Sequence, residues 1–428
     1  MKKHILTLAG KGISITSKLL KRGNGSTWPG HIALTFEKNY IRTLLKNSPT
    51  QVVLVAGTNG KTTTATMLTT ILKEQGFSVI QNTSGANLLN GIASSLMLNT
   101  NAVGRLTADF AIFEVDENNL SLILQQVSPL AIIVLDLFRD QLDRYGELDS
   151  IAGKWKEAFS QLTSETKLIL NADDPLVAFL GHDVKTPIVY FGLTEKGTKT
   201  LSHAADSLYC PRCNNRLSFS SVSYSHIGIW RCESCNLERP TPQITTSFYP
   251  LEGTYNKYNT LAAIGAAQAL GIPNGAIQKA LHAVTAAFGR QEILEIDGKK
   301  VQLFLSKNPT GFNESLKTIA EKKAKHVLFV LNDRIPDGRD ISWIWDMDIE
   351  PFINDFESVA VSGDRVYDMA LRLQYASDNK KTLSVYEKLE DGVKYSLEKM
   401  GKNETLYILP TYSAMLEVRK ILTGRKIL

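Results

Sequence analysis

The run Val52-Val53-Leu54-Val55-Ala56-Gly57-Thr58-Asn59-Gly60-Lys61-Thr62-Thr63-Thr64 constrains the chain more than any other stretch, because it spells a buried strand, a glycine turn and a helix start in succession. Gly57 and Gly60 permit positive φ and close backbone approach, so that the amides of Gly57, Thr58, Asn59 and Gly60 can converge on phosphate oxygens. The helix dipole adds to that attraction. Lys61 supplies a mobile cation for the outer phosphates, and Thr62 a hydroxyl for a magnesium ion bridging them, with Thr63 behind. Glycine and threonine also cluster in ordinary surface turns. Here Ala65, Leu68, Ile71 and Leu72 follow at helical spacing and an apolar strand precedes, which argues for a nucleotide triphosphate site. The strict loop pattern has glycine five residues before Gly60; Val55 stands there, which narrows the family.

Segments 52–56, 62–75, 78–81, 110–115, 130–135, 167–170 and 187–191 alternate as strands and helices, which predicts a mostly parallel, doubly wound α/β sheet. At 428 residues the chain exceeds one core. Near Gly289-Arg290-Gln291-Glu292 it leaves the first domain, giving expected domains 1–292 and 293–428, the second α/β with strands near 301–305, 326–331, 358–361, 383–385 and 405–409. Residues 4–21 read as a basic amphipathic helix, followed by the glycine-rich loop Arg22–Gly30. Lys11 interrupts the opening apolar run too early for a signal peptide. No stretch approaches the ~18 apolar residues of a membrane span. A net charge of +5 favours an anionic ligand or surface without demanding nucleic acid.

The segment 201–245 breaks the alternation and reads as an insertion. Its pairs Cys210-Pro211-Arg212-Cys213 and Cys232-Glu233-Ser234-Cys235 have the CxxC…CxxC form of a structural zinc ribbon, in which four thiolates close a tetrahedral shell. A redox pair would need only one CxxC, and an iron–sulfur cluster suits the spacing less well.

Further polar residues follow apolar runs, where an open α/β sheet places its ligands. Glu114 ends 110–113 and is placed to hold magnesium, with Asp116 and Glu117 as alternatives. Asn171-Ala172-Asp173-Asp174-Pro175 could contact base or ribose. Asn256 and Asn259 precede an alanine-faced helix, and Arg290 adds a fixed cation. Each alone reads better as a cap or turn; their order is informative.

That order resembles the Mur ligase superfamily, whose ATP-binding domain carries a GTNGKTTT-like loop, a magnesium glutamate, an NADDP-like turn, a GxxNxxN-like segment and a GRxE-like exit. The resemblance covers most of 50–330 and implies ATP and Mg2+ as cofactors, with ATP's γ-phosphate activating a carboxylate for an amine. Lys61 and Glu114 are then catalytic, and Asn171, Asp173, Asn256, Asn259 and Arg290 bind ATP. The chain reaches its loop by residue 57, leaving no room for the separate UDP-binding domain of many members. Where a DHLD-like element carries a histidine, this chain has Asp140-Gln141-Leu142-Asp143-Arg144-Tyr145. The carbamylated lysine of many members maps near Lys154.

These departures and the ribbon resemble the branch of the superfamily that amidates lipid II in peptidoglycan synthesis. The resemblance implies a cytoplasmic ligase at the inner membrane face, converting the D-glutamate α-carboxyl of the stem peptide to D-isoglutamine. By the same resemblance ammonia would come from a GatD-like glutamine amidotransferase partner, consistent with all four cysteines here being committed to the ribbon. An aspartate of Asp337-Gly338-Arg339-Asp340-Ile341-Ser342-Trp343-Ile344-Trp345-Asp346-Met347-Asp348 is then expected to complete the partner's Cys–His pair: Asp346 first, Asp340 second. The bland alternative is an acidic turn with core tryptophans. The rivals are a folylpolyglutamate-synthase-like ligase and, from another class, a zinc-ribbon ATPase that binds nucleic acid.

Overall fold

A computed structural model of the chain describes Lys11 and residues 27–46, 48–82, 86–101, 103–139, 148–195, 197–198, 201, 205–285, 290–377 and 382–424. The expected helix 4–21 apart from Lys11, most of the glycine-rich loop, and the element Asp140–Tyr145 lie outside these residues.

The first sheet has strands β1 (Gln51–Ala56), β2 (Val79–Gln81), β3 (Phe110–Glu114), β4 (Ala131–Val134), β5 (Lys167–Asn171) and β6 (Ile188–Phe191), in the order β2-β3-β1-β4-β5-β6. Every neighbouring pair is parallel, as the sequence predicts. Both faces are covered. Val53 and Val55 of β1 pack with helices Lys61–Glu74, Thr254–Ala269 and Asn274–Leu281, whereas Val52, Leu54 and Ala56 pack with helices Trp28–Phe36, Leu89–Leu98 and Leu148–Ser160. Strands buried on both faces must be continuously apolar, which explains why β1 shows no polar alternation. Each fully buried valine contributes about 1.5–3 kcal/mol as an upper estimate. Because the strands are parallel, Gly57, Glu114 and Asn171 emerge at one edge of the sheet.

The cysteine-bearing insertion forms an antiparallel hairpin, β7 (Ser218–Tyr224) and β8 (Ile227–Arg231). Its tip is no surface appendage: Tyr224 and Ile227 belong to the core of the ATP domain.

The second sheet comprises β9 (Arg290–Ile296), β10 (Lys299–Phe304), β11 (His326–Val330), β12 (Ser358–Ser362), β13 (Leu383–Val385) and β14 (Thr405–Pro410), in the order β13-β12-β11-β14-β10-β9. Only β9 runs antiparallel, joined to β10 through Asp297 and Gly298, both at positive φ as a tight hairpin turn requires. Since β9 begins at Arg290, Arg290–Glu292 belong to the second sheet, and the boundary falls earlier than the expected 292. No helix among the described residues is long and apolar enough to cross a membrane.

Candidate active site

The phosphate loop holds its shape through glycine and the segment after β4. Gly57 and Gly60 take φ of 128° and 80°. The Thr58 amide donates to Asp136 O at 3.0 Å, the Asn59 amide to Asp136 Oδ1 at 2.7 Å, and the Phe138 amide to Thr58 Oγ1 at 3.0 Å. Asp136 is fully buried, and burial pushes its carboxyl up to about 8 against the pull of the Asn59 amide. Lys61 curls back over the loop, donating to Gly57 O and, at 3.0 Å, to Glu117 Oε1.

Thr62 Oγ1 donates to Glu114 Oε2 at 2.7 Å. The other carboxylate oxygen, Glu114 Oε1, is buried without a hydrogen-bond partner. Burial pushes this carboxyl up, while the Thr62 hydroxyl and then the Arg290 and Lys61 charges pull it down. A hydroxyl and an orphaned carboxylate oxygen beside a phosphate loop fit a hard divalent cation. Glu117 is committed to Lys61, and Asp116 accepts from the Asn118 amide at 3.2 Å, so Glu114 is the better placed of the three acids. Asn82 fixes it, accepting from its amide at 2.9 Å and donating to its carbonyl at 3.0 Å.

A cavity between the two domains opens on this loop. The first domain contributes Asn59, Gly60, Thr63, Asn256 and Asn259; the second contributes Arg290, Phe304, Thr310, Gly311 and Glu314. Asn256 and Asn259 lie within the first turns of Thr254–Ala269 rather than ahead of it. Asn259 Nδ2 donates to Asn256 Oδ1 at 3.0 Å, and Asn259 Oδ1 sits so close to Gly60 that a Cβ there would lie 2.0 Å away. Glycine at 60 is therefore required twice, by φ and by Asn259. Arg290 lines the cavity, its charge acting on Glu114.

Three expectations change. Asn171 does not face the cavity: its Nδ2 donates to Leu135 O at 2.8 Å and its Oδ1 accepts from the Asp173 amide at 3.0 Å, closing the turn after β5. Asp173 is likewise spent on structure, accepting from Arg239 Nε at 2.6 Å, Tyr258 Oη at 2.5 Å and the Leu193 amide at 3.0 Å. Lys154 is exposed, because helix Leu148–Ser160 turns Ile151, Trp155 and Phe159 inward. Neighbouring Lys156 lies over the Phe179 ring at 4.1 Å.

The four cysteines meet. Sγ–Sγ separations are 3.5 Å for Cys210–Cys235 and Cys213–Cys232, and all four sulfurs lie within 4.8 Å of one another. Zinc–sulfur bonds of about 2.3 Å in a tetrahedron place sulfurs roughly 3.8 Å apart, so the donor set fits zinc.

In the second domain, a 3-10 turn, Ser342–Asp346, carries the tryptophans. Asp337 is buried, accepting from Ser413 Oγ and N at 2.5 and 2.7 Å, and Asp348 accepts from Asn313 Nδ2 at 2.9 Å. Asp340 accepts from the Ser342 amide at 2.8 Å. Asp346 is 45% exposed, with Arg139 3.8 Å away. Beside it Trp345 is half-exposed and meets Tyr375 edge-on at 5.8 Å.

Sequence reasoning missed Asn82, Asp136, Tyr224, Asn308 and Glu314. Asn308 had a local signal, an N-cap residue ahead of Pro309; the others had none.

A profile described as Mur ligase middle domain matches residues 55–267, and one described as MurT ligase C-terminal matches 305–415. The lipid II isoglutaminyl synthase (glutamine-hydrolyzing) subunit MurT of Streptococcus pneumoniae is 34% identical, covering 96% of this chain and 95% of the relative. Its Staphylococcus aureus counterpart is 31% identical, covering 87% of each. Among solved structures, a pseudomurein peptide ligase type C from Methanothermus fervidus superposes with a TM-score of 0.69 at 22% identity, over 90% of this chain and 81% of that one, a likeness of fold. With identity above 30% across nearly the whole of both sequences, the chain belongs to the MurT family of Mur ligase-like subunits.

Proposed function

We propose that this chain is the ATP-dependent ligase subunit of a glutamine-hydrolysing lipid II isoglutaminyl synthase. ATP binds in the interdomain cavity, its phosphates at the Gly60 turn and the N-terminus of helix Lys61–Glu74, since Asp136 takes the Thr58 and Asn59 amides. Thr62 and Glu114 would hold a magnesium ion there, which would supply positive charge against the transferring phosphoryl group. Lys61 leaves Glu117 for the outer phosphates, and Arg290 faces the same charge from the second domain. The D-glutamate α-carboxylate of the stem peptide attacks the γ-phosphorus, ADP leaves, and ammonia displaces phosphate from the acyl phosphate to give the amide.

The observation that carries this reading is the 2.7 Å Thr62–Glu114 pair with its orphaned Oε1, set beside the loop at the mouth of a two-domain cavity. The four cysteines are gathered in one cluster and leave no thiol for a glutaminase, which supports an amine source on another subunit. A GatD-like amidotransferase supplies it, and Asp346 orients that partner's histidine. The substrate is presented at the inner face of the plasma membrane, with zinc in the ribbon as a structural ion.

The test combines the chain with a GatD-like glutaminase, glutamine, ATP, Mg2+ and lipid II, and reads amidated stem peptide by mass spectrometry. Amidated product is expected, and ammonium salts should replace both glutamine and the partner. Absence of product under both conditions would overturn the assignment.

A further inference from the structure

The inserted ribbon has two ends, and they lie in different environments. At one end Cys232 follows Arg231 of β8 directly, and the bridge Tyr209–Arg216 leads the first cysteine pair into β7. At the other end, the hairpin tip is inside the ATP domain. Its turn residue Ser225 has φ 49°, His226 is fully buried, and Tyr224 lines the interdomain cavity.

Hydrogen bonds tie the intervening hairpin to the turn after β5. The Gly228 amide donates to Asp173 O and Trp230 Nε1 to Ala172 O, both at 3.0 Å. Trp230 also packs with Cys210 and Cys232. The tip reaches the phosphate loop through Phe138, whose ring stands 6.1 Å from Tyr224 and 4.6 Å from His226, and whose amide holds Thr58 Oγ1. Tyr258, on the helix that carries Asn256 and Asn259, meets Tyr224 edge-on at 5.5 Å. Tyr224 is thus clamped between two elements that shape the nucleotide site.

We infer that the ribbon is a working part of the nucleotide pocket: Tyr224 is a positioning residue for the bound nucleotide, and zinc occupancy and nucleotide affinity are thermodynamically coupled. This rests on reading the cavity as the nucleotide site. A two-stranded hairpin is marginal alone, and metal binding to such a module supplies folding free energy. Losing the metal loosens the strands that hold Tyr224 in the cavity wall and Phe138 against Thr58. Coupling between two binding events is reciprocal, so the nucleotide must hold the metal as firmly as the metal holds the nucleotide.

The experiment uses the full chain loaded with zinc, with Mg2+ and a non-hydrolysable ATP analogue as the probe. Saturating analogue should slow zinc capture by a chromophoric chelator about tenfold, within the usual range of such couplings. This arm needs no metal-free protein and so does not depend on the stripped chain staying folded. Tyr224→Ala, with zinc content unchanged, should weaken analogue binding in calorimetry and lose most of the protection against the chelator. Tyr224→Phe, which keeps the ring, should restore both. If zinc capture is equally fast with and without bound analogue, or Tyr224→Ala binds it as the parent does, the coupling is overturned while the nucleotide site stands. If the zinc-loaded parent does not bind the analogue at all, the nucleotide reading falls and the coupling with it.

Discussion

Asn308 donates its side-chain amide to Asn59 Oδ1 at 3.0 Å, a hydrogen bond that joins the second domain directly to the phosphate loop of the first. The same side chain caps helix Pro309–Glu321, its Oδ1 accepting from the Gly311 amide at 2.8 Å. One residue thus starts a helix and latches the domains.

The two roles separate by substitution. Asn308→Ala should lose both, costing about 1 kcal/mol of stability for the cap and weakening nucleotide binding. Asn308→Ser keeps a capping oxygen but is too short to reach Asn59, so its melting temperature should stay near the parent's while nucleotide affinity falls. Parental affinity in the serine variant would show that the latch is irrelevant to binding.

Lys61 and Glu117 form a buried pair, their side chains 9% and 5% exposed. Lys61→Met should abolish ATP-dependent amidation, by at least ~100-fold, and also destabilise the fold by about 3–5 kcal/mol, because it strands a buried carboxylate. The double variant Lys61→Met/Glu117→Gln should recover much of the stability and none of the activity, read by denaturant melts beside product formation. Recovery of activity in the double variant would remove Lys61 from the chemistry.

Asp136 gives the fold a pH dependence of definite sign. Its carboxyl stands at about 8 when folded and at 3.8 as a free side chain, so the folded state holds a proton that the unfolded state releases. This contribution is complete below the unfolded value and is lost as pH rises towards 8. Asp136→Asn keeps the oxygen that accepts from Asn59 and cannot ionise. It should melt above the parent at about pH 8 and together with it near pH 4. A difference independent of pH would contradict the buried-acid account.

Asp346→Asn should leave binding of the ATP analogue unchanged and lower glutamine hydrolysis by the assembled partner by ~100-fold or more, as expected when a histidine loses its orienting carboxylate. Asp340→Asn should have little effect, since that side chain caps its own turn. Hydrolysis rates measured in the complex decide between the two.

The phosphate loop was legible because one contiguous segment supplies strand, turn, cation and hydroxyl. The cysteine pairs were legible because metal geometry imposes spacing on sequence. Contacts made across the fold leave no such imprint. Nothing local in Asn308 says that its amide meets a residue 249 positions earlier. The Asn171–Asp174 turn read as a ligand contact, yet Arg239, in the insertion just after its second cysteine pair, takes the Asp173 carboxylate. Lys154 was placed by resemblance alone, and nothing local shows that it is exposed while Trp155 beside it turns inward, its Nε1 donating to Glu117 O at 2.8 Å.

Strand β9 begins with Arg290, so the cation acting on Glu114 belongs to one sheet and the carboxylate to the other. Neither domain expressed alone therefore inherits a complete site, however well it folds. Complementation between separately produced halves would have to rebuild the interface before it could rebuild any chemistry.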